Sequence, residues 1–135
     1  MRKKKEGITM QQVSDYELEL MKIIWANGGA ALYAEVVEKM ASRVNTLTNN
    51  TILTLLSRLT EKGILEISKT GRRNIYTAAV SEDEYQTDQT VRFLDKIYEG
   101  DTKGLVSALI AKDLISKSDY EELLKKWEGG DGADE

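Results

Sequence analysis

A mostly α-helical protein carrying one small antiparallel β-hairpin is what this sequence predicts, on three observations. Ser-x-x-Glu pairs stand just before stripes of apolar residues that recur at helical spacing. Two short extended runs flank a glycine-bearing turn, "KTGRR". The charge also reverses at the midpoint. Residues 1–80 hold 12 Lys and Arg against 8 Asp and Glu, a net of +4, whereas 81–135 hold 7 against 15, a net of −8. The expected organisation is a basic region over 1–80, with a flexible basic arm at 1–12, then a helical region over 81–128 and a disordered tail at 129–135.

The first helix is expected at "VSDYELELMKIIW". Ser14 and Glu17 have capping-box spacing, and Val13 and Leu18 sit where a hydrophobic staple forms. Leu18, Met21 and Trp25 recur at helical spacing, and "NGG" at Asn27 to Gly29 stops the run. A second helix follows through "YAEVVEKMAS", with Val36, Val37 and Met40 facing inward. Its start lacks a good cap, since Leu32 and Tyr33 stand where Ser, Thr or Asn is preferred.

The third helix opens at Thr48, the best N-cap candidate, with Leu47 and Ile52 as its staple. Ile52, Leu55, Leu56 and Leu59 fall on one narrow arc, and Asn50, Thr54, Ser57 and Glu61 on the opposite one, with Arg58 at its edge. Gly63 fits the left-handed position past a helix end. "ILEIS" (Ile64 to Ser68) and "NIYTAAV" (Asn74 to Val80) then read as strands of a hairpin whose tip carries Lys69, Arg72 and Arg73.

Helix, helix, helix and hairpin within about 70 residues is the chain order of a winged helix-turn-helix, whose third helix enters the major groove while the wing lies along the backbone. Beyond Val80, Ser81 and Glu84 open a helix to about Glu99, a shorter one carries Leu105, Val106, Leu109 and Ile110, and a last one starts at Ser118 with Glu121 as box partner. Short amphipathic helices cannot bury their stripes alone. A three-helix dimerisation region is therefore expected, held through Phe93, Leu94, Ile97, Leu105, Leu109, Leu123 and Trp127.

Absences narrow the chemistry. The chain has neither Cys nor His, so it lacks thiol nucleophiles, thiolate metal sites and the commonest general base. Carboxylates such as Glu17, Glu19 and Glu66 show no clustered motif, and no phosphate-binding or dinucleotide loop occurs. A non-enzymatic protein without cofactor or metal is expected. No apolar run spans a bilayer, and the N-terminus lacks the apolar stretch of a secretion signal, so a cytoplasmic location is expected.

The polar face of the third helix suits double-stranded DNA. Thr48 and Thr51 suit backbone oxygens at a helix N-terminus, while Asn49, Asn50 and Thr54 can reach base edges and Arg58 a guanine or phosphate. Leu53 on the flank is either a thymine-methyl contact or an exposed leucine. Lys69, Arg72 and Arg73 crowd a turn where like charges repel unless an anion is near. The rival reading is a winged helix that docks protein.

"VSDYELELMKIIW", "TILTLLSRLTEKGILE" and "GRRNIYTAAVSEDEY" closely resemble the penicillinase and methicillin-resistance repressors (BlaI/MecI type), from about Val13 to Trp127. The resemblance implies a homodimeric repressor on palindromic operators of β-lactamase and related resistance genes. It also implies release when proteolysis, triggered by a membrane sensor, cuts the dimerisation region. The bond cut in those repressors, Asn–Phe, matches Ala108–Leu109 here. The family's recognition helix often opens Ser-Pro-Lys-Thr, whereas this one opens Thr48-Asn49-Asn50-Thr51 and lacks that basic contact. Glu61 stands where Lys is frequent. The related copper-responsive repressors bind metal through a C-terminal cysteine cluster, a route closed to a chain without Cys.

Overall fold

The computed structural model describes residues 12–129. The expected basic arm at 1–12, Gln12 apart, and the tail beyond Gly129 lie outside the described residues. The elements run α1 (Asp15–Ala26), β1 (Ala30–Leu32), α2 (Tyr33–Arg43), α3 (Asn49–Glu61), β2 (Leu65–Thr70), β3 (Arg73–Ala78), α4 (Glu82–Tyr98), α5 (Thr102–Ala111) and α6 (Lys117–Glu128). The described chain forms two compact units that divide within α4, the first ending at Asp88 and the second beginning at Gln89.

In the first unit, α1 starts where its capping box dictates. The Ser14 hydroxyl accepts the Glu17 amide at 3.3 Å, and the Glu17 carboxylate accepts the Ser14 amide at 2.9 Å. Its buried stripe, centred on Leu20, Met21 and Ile24, meets Val36 and Met40 of α2 and the four buried residues of α3, Ile52, Leu55, Leu56 and Leu59. Ile64, Leu65 and Tyr76 close the core from the sheet side.

The hairpin grows into a three-stranded antiparallel sheet in the order β1-β3-β2. β1 is invisible in the sequence because Ala-Ala-Leu is too short to show alternation and is poor in β-branched residues. It pairs Ala30 to Leu32 with Thr77 to Ile75, and its central residue, Ala31, is buried. The strand also explains the weak start of α2. Leu32 offers no acceptor, so only the reciprocal half of a capping box forms, with Glu35 accepting the Leu32 amide at 2.8 Å.

The turn is tighter than expected. Pairing runs from Leu65 with Ala78 to Thr70 with Arg73, so only Gly71 and Arg72 remain unpaired. Positive φ at Gly71 (+64°), and not at Arg72, is the pattern of a two-residue type II′ turn. The expected strand bounds shift accordingly, with Lys69, Thr70 and Arg73 inside the ladder.

The opening of α4 belongs to the first unit. Ser81 and Glu84 form their box, with bonds of 3.0 and 2.9 Å. Tyr85 is buried with its ring 5.8 Å from that of Trp25, whose indole donates to the Val80 carbonyl at 3.0 Å.

In the second unit, α5 is capped by Asp101, whose carboxylate accepts the Gly104 amide at 2.9 Å. The last helix starts two residues earlier than the Ser118–Glu121 pair suggests. Ser116 caps α6, accepting the Asp119 amide at 3.0 Å, because Ser116-Lys-Ser-Asp119 carries the same Ser-x-x-acid pattern one half-turn upstream. Neither α5 nor α6 buries a residue.

Candidate nucleic-acid interface

The site begins with the cap of α3. The Thr48 hydroxyl accepts the Thr51 amide at 3.1 Å and donates to the Thr51 hydroxyl oxygen at 3.1 Å. The Thr48 carbonyl accepts the Ile52 amide at 3.0 Å. Asn49 and Asn50, the first two helical residues, thus head the helix with amides that have no intrahelical acceptor. Such a terminus favours phosphate oxygens.

Outward from the core stripe, Thr48, Asn49, Asn50, Thr51, Thr54, Ser57 and Arg58 are all exposed. Asn50, Thr54 and Arg58 succeed one another at intervals of four and so share one line along the helix. The Thr54 hydroxyl, however, donates back to the Asn50 carbonyl at 3.0 Å, which turns the hydroxyl onto the helix itself. Leu53 lies beside this line, 40% exposed.

A long-range ion pair pins the far end of α3. Lys62, the C-cap residue, donates to the buried Glu17 carboxylate at 2.7 Å and to the Gln12 carbonyl at 3.1 Å. Burial pushes the Glu17 carboxyl upward, but the Lys62 ammonium and the Ser14 amide outweigh it and hold the group below the usual carboxylate range. One carboxylate therefore both caps α1 and fixes the exit of α3. Sequence spacing revealed the first role and not the second, because the partners stand 45 positions apart.

At the wing, Lys69, Arg72 and Arg73 are exposed, but they are not crowded on one turn as expected. Lys69 lies opposite Asn74 and Arg73 opposite Thr70, on successive rungs, so their side chains leave opposite faces of the hairpin. Arg72 alone occupies the turn with Gly71. Among the described residues no ion pair engages Arg58, Lys69, Arg72 or Arg73. Arg43, by contrast, is matched by Glu19 at 2.6 Å.

The other expected residues lie in the second unit. Phe93, Ile97, Leu123 and Trp127 are exposed, Trp127 by 79%, while Leu94, Leu105 and Leu109 are half-buried. Ala108 and Leu109 are adjacent residues within α5, both half-buried. No helix among the described residues is long and apolar enough to cross a membrane.

Three helices closed by a small antiparallel sheet, with α3 presenting a polar face and a cationic hairpin following it, define the first unit as a winged helix. The sequence model described as "Penicillinase repressor" matches residues 13–129, and the chain belongs to that family. That family is one of transcriptional repressors, not enzymes. The chain is 35% identical to the penicillinase repressor of Bacillus licheniformis over 83% of its own length and 86% of the relative's. It is 29% identical to the methicillin resistance regulatory protein MecI of Staphylococcus aureus (strain N315), over 83% and 89%. Among solved structures it resembles the DNA-binding domain of the repressor BlaI, with a TM-score of 0.50 and 38% identity, covering 57% of this chain and 92% of that one.

Proposed function

We propose that the chain is a transcriptional repressor that binds double-stranded DNA as a homodimer, each copy laying α3 in a major groove and its β2–β3 wing along the backbone. The observation that carries this reading is an exposed, mostly polar α3 face flanked by cations that form no ion pair among the described residues. Support comes from the relatives, which are named repressors, and from the structural neighbour, named a DNA-binding domain. Thr48 and Thr51 hold phosphates, Asn49, Asn50 and Thr54 face base edges, and Arg58, Lys69, Arg72 and Arg73 supply cationic contacts.

A two-fold dimer places two copies of α3 on a palindrome. The apolar side chains Phe93, Leu94, Ile97, Leu105, Leu109, Leu123 and Trp127 form the surface that joins the copies, a reading supported by the exposure of Phe93, Ile97, Leu123 and Trp127. By the relatives' names, the regulated genes are those of penicillinase or methicillin resistance. The site of action is the cytoplasm. Relief by a membrane sensor and proteolysis at Ala108–Leu109 completes the reading. That bond lies in a helix, so cleavage proceeds through opening of α5.

The test is a mobility shift with duplexes selected from host genomic fragments, repeated across salt concentrations. Affinity that falls steeply with salt, as counterions are released, supports DNA binding. Failure to retain any duplex at low salt overturns it in favour of a protein-docking module.

A further inference from the structure

We infer that the front of α3 reads A·T base pairs, with Leu53 and Thr54 together clasping the 5-methyl group of thymine. This rests on the DNA-binding reading above and deepens it. Three observations carry it. Leu53 is 40% exposed although it belongs to the helix proposed to enter the groove, and it stands three residues after Asn50 and immediately before Thr54. Positions three and four apart are surface neighbours on a helix, so Asn50, Leu53, Thr54 and Ser57 form one continuous outward surface.

The second observation is the bond from the Thr54 hydroxyl to the Asn50 carbonyl. While that bond is kept, the Thr54 hydroxyl does not donate to thymine O4, guanine O6 or a purine N7. What remains is a methyl group and an accepting lone pair. Thr54 and Leu53 thus juxtapose apolar carbon, and the only apolar group that a base pair presents in the major groove is the thymine methyl.

The third observation is charge. Arg58, in the last turn, is the only Lys or Arg within Asn49–Glu61. The leading turns lack the long cationic donors that pair with guanine, and offer instead the amides of Asn49 and Asn50, which match adenine N6 and N7. Amide and methyl-seeking groups on neighbouring positions select adenine on one strand and thymine on the other.

The experiment uses the full chain and a duplex recovered by selection from random-sequence DNA. Each thymine of that duplex is replaced in turn by deoxyuridine, which deletes the methyl and preserves every hydrogen bond. One position per half-site is expected to weaken binding about four-fold, the value of one buried methyl-sized group. In Leu53→Ala and Thr54→Ser proteins that penalty shrinks toward none, and both exposed substitutions leave the fold intact by circular dichroism. Deoxyuridine tolerated everywhere, or a penalty unchanged in both variants, overturns the inference while leaving DNA binding standing. A protein that selects no duplex at all overturns the parent reading and this one with it.

Discussion

Glu17 shows how much one side chain can hold in place. Its carboxylate accepts the Ser14 amide and the Lys62 ammonium, joining the head of α1 to the exit of α3. Because its folded pKa lies below the unfolded value, the unfolded chain takes up the proton first as pH falls. The stabilisation is therefore complete at neutral pH and is lost as pH drops through the ordinary carboxylate range and below. Glu17→Gln keeps an acceptor but removes the charge, and is expected to cost about 2 kcal/mol at pH 7, within the range for hydrogen bonds to charged groups. Denaturant midpoints at pH 7 and pH 3 check this, since the difference between variant and parent should shrink at the lower pH. A gap that stayed constant would assign the effect to packing. On the helix face, Asn50→Ala is expected to relax preference at particular operator positions, by about 1–3 kcal/mol per good base contact. Equal weakening on operator and random DNA would make Asn50 a backbone contact. Thr48 and the exposed line of α3 were legible because their signals lie within one or two helical turns. Lys62 was not, because nothing in local spacing ties it to a residue 45 positions earlier.

At the scale of elements, helices read well and the sheet read partly. Capping boxes located α1 and α4, and the Thr48 cap with a 3.6-residue stripe located α3, whereas α6 offered two overlapping serine signals and used the first. β1 left no trace, since three residues have no period and its pairing with β3 is a tertiary event. Its consequence is mechanical. Ala31 and Leu32 pair with Tyr76 and Ile75, so β3 is held on both sides and the hairpin projects from a sheet rather than standing alone. The tip then offers Arg72 on the turn and Lys69 and Arg73 on opposite faces, a geometry suited to phosphates along a backbone rather than to one anion. Replacing Arg72 and Arg73 by Ala together should weaken binding to all sequences alike. It should also flatten the salt dependence by about one unit of slope for each phosphate no longer neutralised. Titrations at several salt concentrations decide it. Full affinity in the double variant would remove the wing from the interface.

The charge reversal at mid-chain was a whole-molecule signal, but the compact unit continues past it. Tyr85, in the acidic half by sequence, is buried in the first unit against Trp25. A cut after Val80 therefore strips a buried aromatic from the core, whereas a cut after Asp88 preserves it. The shorter fragment is expected to be less stable by about 3 kcal/mol, the order for removing a buried aromatic side chain. The longer one should stay folded and monomeric, because it lacks Phe93, Ile97, Leu123 and Trp127, the exposed apolar residues proposed to join two copies. A single winged helix binds DNA with limited affinity, and linking two raises it through effective concentration. The fragment ending at Asp88 should thus bind a half-site weakly and a palindrome no better, while the full chain gains a hundred-fold or so on the palindrome, roughly the lower bound for bivalent linkage. Sedimentation of the full chain at micromolar concentration gives the independent measure. A monomer there, or a fragment that matches the whole chain on a palindrome, would mean that the exposed stripes of α4, α5 and α6 serve some partner other than a second copy.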